Sequence, residues 1–307
     1  MSKLRLGLVG CGGMANTHVK RFDPVRSRVD LVAAVDVVEE RAAAVAELMG
    51  GVRVATDYRE ILDDVDAVLV VLPHHLHHPI ARGCLEAGKH VSLQKPMAMN
   101  LTEADALIDA AKRSGKLFRV IENYRFYPPY NKAKDIIESG EIGEPLSIRI
   151  KSFSGNDSYG WDVPQGAQEW RSDPSRSGDG TIIFDHGQHI WSIAKYFMGD
   201  VEKVFAFIGN TEVKSHHEMR PGALLDSPSL ITWKYADVHK YGSWEAVHSE
   251  DLMVRSKYYP MDVWLEITGS RGILWVNRCI AGLLIKPPVE VYRDGVITSF
   301  SDVESDY

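Results

Sequence analysis

Cysteine is scarce in this sequence: Cys11, Cys84 and Cys279 are the only three among 307 residues. They are widely separated, which argues against a disulfide-stabilised scaffold and is typical of a protein kept in the reducing cytoplasm. We therefore expect a cytoplasmic protein. Cys11 lies inside a glycine-rich turn, where we interpret it as a small filler residue rather than a nucleophile.

Long apolar runs and an excess of positive charge are also missing. No run approaches the length of a membrane span, and the formal net charge is −7 without a basic stripe. We therefore expect neither a membrane nor a nucleic-acid partner. The hydrophobic share of 45% and the charged share of 25% are ordinary for a globular enzyme, and 307 residues suggest about two domains.

The first motif present is a glycine-rich turn that follows the apolar run at residues 4–9. Gly10, Gly12 and Ala15 have the G-x-G-x-x-G/A spacing of dinucleotide-binding turns. Gly10 permits the tight turn, Gly12 lets a pyrophosphate approach the backbone, and Ala15 lets the next helix lie close to the sheet. Residues 14–22 can form a helix. Its N-terminus, beside Gly13 and Met14, would offer free N–H groups and a positive dipole end to the phosphates.

An acidic residue follows at the distance that a dinucleotide site requires. The apolar run at residues 31–35 ends in Asp36, about twenty residues past the glycines, where a carboxylate would bind the ribose hydroxyls of NAD. Val37 and Val38 come next, without the Arg or Ser that would hold the 2′-phosphate of NADP. The sequence therefore predicts NAD as the cofactor, with NADP less favoured. The alternative is an ordinary strand–turn–helix with an incidental Asp.

Strand-like and helix-like segments alternate as far as residue 123. Strands are predicted at 52–54, 66–72, 89–93 and 117–121, and helices at 38–49, 58–62, 79–87 and 101–114. This alternation is typical of an α/β fold with a doubly wound parallel sheet, in which ligands bind at the carboxyl ends of the strands. We place this Rossmann domain at residues 1–123.

The pattern changes after residue 123. A helix is predicted at 128–139 and another at about 184–197. Strand-like segments dominate the rest, at 146–153, 201–208, 229–235, 241–247, 262–268, 272–276 and 289–292. These segments predict an α+β domain with an open, mainly antiparallel sheet, which we place at residues 124–307.

Lys95 is the first candidate for chemistry. It follows a predicted strand in Gln94-Lys95-Pro96, at the sheet edge where a nicotinamide would lie. A lysine there can hydrogen-bond a substrate hydroxyl, and burial beside a cationic oxidised ring would favour its neutral, proton-accepting form. The alternative is a surface lysine before a proline turn.

Asp185 and His189 are the second candidates. They are four residues apart and would share one face of the predicted helix. The histidine could take the proton of a substrate hydroxyl, while the aspartate holds the sugar or tunes the histidine. The alternative is a helix cap beside a histidine whose hydrogen bonds are satisfied.

Four histidines follow Pro73, at positions 74, 75, 77 and 78. Histidine clusters can bind zinc or nickel, but no carboxylate or cysteine has a supporting spacing, so we predict no metal. Because the segment follows a strand of the nucleotide domain, we expect Pro73, His74 and His78 to border the cofactor. His216 and His217 are similarly ambiguous and are interpreted as a loop.

The second domain contains polar and aromatic side chains that could reach a polyhydroxy substrate. The candidates are Tyr124, Arg125, Tyr127, Asn156 and Arg171. Some aromatic residues of this domain could stack on sugar rings, although we interpret most of them as core residues or oligomer contacts; they are Tyr159, Trp161, Trp170, Trp233 and Trp244.

Taken together and in order, these motifs resemble the Gfo/Idh/MocA family, the relatives of glucose–fructose oxidoreductase and inositol 2-dehydrogenase. The resemblance spans nearly the whole chain and also includes the segments 88–91, 124–128, 140–143 and 267–272. It implies a tightly held NAD(P), hydride transfer at a sugar or cyclitol hydroxyl, and a C-terminal sheet that forms dimer or tetramer contacts. By position it implies Lys95, Asp185 and His189 as the catalytic set.

Two residues depart from the family pattern. Gln94 stands where the family usually has Glu, and the lost negative charge would either favour the neutral form of Lys95 further or alter how Lys95 is held. Asp179 is an added acid ahead of Asp185. The leading hypothesis is an NAD-dependent sugar or cyclitol dehydrogenase that forms a homodimer or homotetramer. The alternatives are an enzyme that cleaves or eliminates glycosides through transient oxidation by a retained NAD, and a non-catalytic sugar or nucleotide sensor.

Overall fold

A computed structural model describes residues 2–156, 163–178, 180–214, 218–237, 239–254, 261–277 and 285–305. The chain divides into two compact units: the first is Met1–Ile121 with Asp173–Asp179, and the second is Glu122–Ser172 with Gly180–Tyr307. The short segment at 173–179 groups with the first unit although it lies far along the chain. Within this unit, Nδ1 of His74 lies 2.7 Å from the Ser177 carbonyl of that segment.

The first unit is built on a six-stranded sheet. Its strands are β1 (Leu4–Val9), β2 (Val29–Val35), β3 (Arg53–Ala55), β4 (Ala67–Val70), β5 (His90–Leu93) and β6 (Phe118–Val120). Every pairing is parallel, and the order is β3-β2-β1-β4-β5-β6. The predicted doubly wound sheet is confirmed, and the strand order reverses beside β1, where such sheets bind ligands.

Between successive strands, the chain of the first unit forms α-helices, and capping residues, glycine and proline set several of their ends. They are α1 (Gly13–Lys20), α2 (Glu39–Leu48), α3 (His77–Glu86) and α4 (Leu101–Ser114). Asn100 caps α4 by accepting the Glu103 N–H at 2.9 Å, and Gly115 ends it in the left-handed conformation. Helix α3 starts two residues before the predicted Pro79, because proline is tolerated in a first turn, whose N–H groups have no partner within the helix. The predicted helix at 58–62 is a 3₁₀ segment, Tyr58–Asp64.

The second unit is built on an eight-stranded sheet. Its strands are β7 (Pro145–Asn156), β8 (Val201–Ile208), β11 (Ser229–Tyr235), β12 (Tyr241–Met253), β13 (Met261–Gly269), β14 (Gly272–Val276), β15 (Val289–Arg293) and β16 (Val296–Phe300). Their order is β16-β15-β14-β13-β7-β12-β11-β8. Among the described residues of this sheet, only the β7–β12 pairing is parallel, so the predicted mainly antiparallel sheet is confirmed. Two short strands, β9 (Thr211–Glu212) and β10 (Leu224–Leu225), pair separately.

The helices of the second unit include one that the sequence pattern did not predict. They are α5 (Pro128–Glu138), the unpredicted α6 (Gln165–Arg171) and α8 (Gly187–Met198), while the unpredicted α7 (Pro174–Ser177) belongs to the first unit. The predicted helix at 184–197 is wrong at its start, because residues Thr181–His186 form a π-helical turn and the α-helix begins only at Gly187. π-turns are rare and concentrate at functional sites.

The core of the second unit packs one face of the sheet against its helices. Trp191 of α8 contacts Trp233 and Trp244 edge-on, with ring centroids 5.4 and 5.3 Å apart. Both Trp233 and Trp244 are buried, as a core role requires. Tyr159 and Trp161 lie outside the described residues. None of the helices in the described part of the chain combines the length and the hydropathy that a membrane span needs.

Candidate active site

The glycine-rich turn has the geometry of a dinucleotide loop. Gly10 follows β1 with a φ of +95°, and a Cβ on it would lie 2.1 Å from the Val71 carbonyl oxygen, so only glycine fits. A Cβ on Gly12 or Gly13 would meet no atom within 4 Å, which leaves open space above the turn. Among the described residues, no side chain caps the start of α1, and the first N–H groups of a helix have no partner within the helix. Met14 is half-buried, and Ala15 is fully buried against the sheet. A pyrophosphate fits this arrangement.

Asp36 joins the end of β2 to the glycine-rich turn. One carboxylate oxygen accepts the Cys11 N–H and the other accepts the Val38 N–H, each at 2.9 Å. Each oxygen keeps a further lone pair that a ribose hydroxyl could use. Burial, and then the charge of Asp36, raise the pKa of the Cys11 thiol to about 12, so Cys11 is an inert filler as expected.

Gln94 and Lys95 follow β5 on the same sheet. The Gln94 side-chain oxygen accepts the Lys95 N–H at 2.9 Å, and its side-chain nitrogen lies 3.2 Å from Nε2 of His18 on α1. Lys95 is half-buried. The uncharged side chain of Gln94 therefore links the Lys95 backbone to His18 on α1, the helix that follows the glycine-rich turn.

The histidines after β4 have different environments. His77 is fully buried, with Nδ1 2.7 Å from the Pro96 carbonyl and Nε2 2.8 Å from the Leu72 carbonyl, so it ties the end of β4 to the turn after Lys95. His74 is buried and its Nδ1 lies 2.7 Å from the Ser177 carbonyl. Nε2 of His78 is buried, with no hydrogen-bond partner among the described residues. Pro73 directly precedes this turn. Within the same described part, no three His, Cys, Asp or Glu side chains could hold a metal ion.

In the second unit, Asp185 lies near the end of the π-turn and is buried. Asp226 anchors the start of that turn: its carboxylate oxygens accept the Ile182 N–H at 2.8 Å and the Ile183 N–H at 2.6 Å. Gly180 has a φ of +109°, and a Cβ there would lie 2.3 Å from an Asp226 oxygen. Asp226 thus sets the position of the segment that carries Asp185.

His189 lies on α8, two residues after its start, in a polar contact with Glu122. Its Nδ1 lies 2.8 and 3.0 Å from the two Glu122 carboxylate oxygens. The Tyr124 ring stacks on the imidazole at 4.4 Å with an interplanar angle of 11°. The structure therefore brings His189 together with one predicted residue, Tyr124, and one unpredicted residue, Glu122.

The other predicted substrate residues make contacts within the second unit. The Tyr127 hydroxyl donates to the Ser305 carbonyl at 2.9 Å, and the Arg125 guanidinium lies 4.9 Å from the Tyr196 ring centre. The Arg171 guanidinium lies over the Trp170 ring at 4.4 Å. Asn156 ends β7, but its side chain, like Asp179, His216 and His217, lies outside the described residues. Substrate contacts by these residues stay predictions.

Similarity to known proteins identifies the family to which this chain belongs. Residues 4–122 match the oxidoreductase family with an NAD-binding Rossmann fold, and residues 130–275 match the GFO/IDH/MocA C-terminal domain. The myo-inositol 2-dehydrogenase of Thermotoga maritima is 31% identical over 278 residues, which cover 90% of this chain and 75% of that protein. The chain belongs to the Gfo/Idh/MocA family. The family predicted from the motifs is thereby confirmed.

Levoglucosan dehydrogenase resembles this Gfo/Idh/MocA chain in sequence and in structure. The enzyme of Pseudarthrobacter phenanthrenivorans is 33% identical over 223 residues, which cover 68% of this chain. The match spans about half of that relative, 54% of its length. A solved structure of levoglucosan dehydrogenase in complex with NADH has a TM-score of 0.77 and 25% identity, covering 97% of this chain and 80% of that one.

Three polar residues of this Gfo/Idh/MocA chain escaped prediction from the sequence. His18 and Asp226 have no local motif, and Glu122 is 67 positions from His189. One signal was available for Glu122, because it directly follows the predicted strand at 117–121 and the carboxyl ends of parallel strands are where ligand-binding residues concentrate.

Proposed function

We propose that this protein is an NAD-dependent dehydrogenase of a sugar or cyclitol hydroxyl. The observation that carries the proposal is the glycine-rich turn with open space at Gly12 and with Asp36 bound to its Cys11 N–H. The substrate class is supported by relatives named for their action on myo-inositol and levoglucosan. When bound, NAD supplies a hydride acceptor.

The proposed roles of the chain's residues follow from their positions. Pyrophosphate binds at the turn, ribose at Asp36, and the nicotinamide end near the strand ends; the residues are Gly10, Gly12, Gly13, Met14, Asp36, Pro73, His74, His78, Gln94 and Lys95. His189 takes the proton of the reacting hydroxyl, Lys95 hydrogen-bonds and polarises its oxygen, and Asp185 orients the substrate and His189. The substrate surface includes Tyr124, Arg125, Tyr127, Asn156 and Arg171.

NAD is the proposed cofactor rather than NADP. Asp36 is an acceptor for ribose hydroxyls and would repel a 2′-phosphate, and Val37 and Val38 supply no positive charge. We further propose a cytoplasmic location, which the scarce cysteines support. Homo-oligomers through the sheet of the second unit are proposed as well.

The test is NADH formation, measured by absorbance, with aldoses, cyclitols, sugar acids and glycosides and with each dinucleotide. We expect one substrate class to react with NAD in preference to NADP. His189→Ala and Lys95→Ala should each lose most turnover, about 100-fold or more, while NAD stays bound. The matched controls His239→Ala and Lys112→Ala, at exposed positions, should keep wild-type turnover. Full turnover in both active-site variants would contradict the mechanism. Consumption of a glycoside without release of free NADH would instead favour the alternative enzyme, which cleaves or eliminates glycosides through transient oxidation by a retained NAD.

A further inference from the structure

We propose that Glu122 is the positioning residue for His189: it holds the imidazole through Nδ1, so that the lone pair that accepts the substrate proton lies on Nε2. The inference rests on the proposed dehydrogenase function, in which His189 is the base. It adds a residue that no family motif quoted above contains.

The hydrogen bond decides the tautomer. Nδ1 of His189 lies 2.8 Å from one Glu122 oxygen and 3.0 Å from the other. An ionised carboxylate can only accept hydrogen bonds, so Nδ1 must carry the proton that it donates. In a neutral imidazole the lone pair then belongs to Nε2.

The same carboxylate also fixes the plane of the ring. Oε1 of Glu122 accepts the backbone N–H of Tyr124 at 2.8 Å, and the Tyr124 ring stacks on His189. The His186 ring meets His189 from another side, with ring centroids 5.7 Å apart. A hydrogen bond in the ring plane and a stacked ring above it together leave His189 little freedom to rotate.

Because Glu122 and His189 are both largely buried, the charge of Glu122 acts strongly on the imidazole. Only 11% of the Glu122 side chain and 10% of the His189 side chain are exposed. Solvent and salt therefore screen this pair less than they screen a surface pair. Stabilisation of an imidazolium by Glu122 is stronger here than at an exposed site.

The chemical step uses this arrangement directly. As the hydroxyl O–H bond breaks, its proton goes to Nε2 of His189. NAD, held at the glycine-rich turn and Asp36 as proposed above, would supply the acceptor for the hydride that the C–H bond releases. The substrate carbon and oxygen become a carbonyl group. His189 gains a positive charge in this step, and the carboxylate of Glu122 stabilises that charge without taking the proton itself.

Two substitutions separate charge from geometry. Glu122→Gln keeps an oxygen for the Nδ1–H bond but removes the charge, so turnover should fall about tenfold and the acidic limb of the pH–rate profile should move to lower pH. Glu122→Ala also frees the ring, and turnover should fall about 100-fold or more, with KM changed much less. Glu138→Gln, which removes an exposed charge from the same unit, is the matched control.

A direct reading of the proton is independent of activity. In ¹⁵N spectra of the full chain, with His189 assigned through His189→Gln, we expect the proton on Nδ1 in the wild-type protein and a mixture of tautomers in Glu122→Ala. A proton on Nε2 in the wild type, or an unshifted pH profile in Glu122→Gln, would overturn the proposal. A wild-type chain that oxidises no substrate would remove the proposed function, while the spectra still decide whether Glu122 holds His189.

Discussion

At the scale of single residues, the side chain of Gln94 determines the protonation state of His18, which it contacts on α1. The Lys95 N–H needs an acceptor, so the side-chain oxygen of Gln94 must face it and the amide NH₂ must face Nε2 of His18. Because NH₂ can only donate here, Nε2 of His18 has to accept, and His18 is neutral. Burial, and then the charge of Arg21, lower the pKa of His18, which agrees with this assignment.

His18 should make the protein less stable in acid. Its pKa in the folded protein lies below the ordinary value of 6.5, so the unfolded chain takes up a proton first and stability falls as the pH drops below about 6.5. Melting temperatures of the wild type and His18→Gln, compared at neutral pH and well below 6.5, measure this loss. We expect a smaller acid shift in His18→Gln, which cannot be protonated.

The exposed His239→Gln is the control for this comparison, and it should behave as the wild type does. Gln94→Glu should also reduce the acid shift, since a carboxylate can accept a hydrogen bond from protonated His18. Equal acid shifts in the wild type and in His18→Gln would show that His18 does not titrate as described.

At the scale of elements, the π-turn Thr181–His186 depends on Asp226. Asp226 accepts two backbone N–H groups at the start of the turn, and it reaches them because Gly180 has no Cβ. An aspartate in this role resembles a helix N-cap, except that it comes from a distant loop. The element that carries Asp185 is therefore positioned from outside its own sequence.

Asp226→Asn should destabilise the second unit and lower turnover. Asparagine has one acceptor oxygen, so one backbone N–H would face an NH₂ group, at a cost of about 1–3 kcal/mol in the free energy of unfolding. Urea unfolding measures this, with Asp251→Asn, an exposed carboxylate on β12, as the matched control. If both variants unfold at the same urea concentration, the anchoring role of Asp226 is wrong.

At the scale of the whole molecule, the sheet of the second unit exposes apolar side chains at its β8 edge. Phe205 and Phe207 are 60% and 64% exposed, and their rings meet at 4.8 Å. Phe207 is paired with Leu230 of β11, which is exposed on the same face. Clustered exposed aromatic residues are typical of protein–protein contacts, and they support the proposed homodimer or homotetramer.

Phe207→Lys should lower the oligomeric state. A charge placed in a self-complementary contact meets its own copy or an apolar surface, so we expect a smaller mass by light scattering during gel filtration. Leu117→Lys, at an exposed apolar position of the first unit, should leave the mass unchanged. A wild-type protein that elutes as a monomer would exclude the proposed contact.

Much of the fold could be predicted because its signals are local. The turn at Gly10 and the acid at Asp36 have a fixed spacing, and the strands of both sheets show as short apolar runs. Short elements such as β9, β10 and α7 carry too few residues to show a period. Strand β16 was missed because its residues are largely exposed and show no apolar alternation.

The sequence by itself determined the fold class, the family and the candidate set Lys95, Asp185 and His189, since motif spacing and periodicity lie within short windows of the chain. Only the tertiary structure decided the partners of these residues. Glu122 reaches His189, His18 reaches Gln94 and Asp226 reaches the π-turn across 67, 76 and 44 positions. Hydrogen bonds depend on distance in space, and a single sequence does not contain the distances between segments that folding brings together.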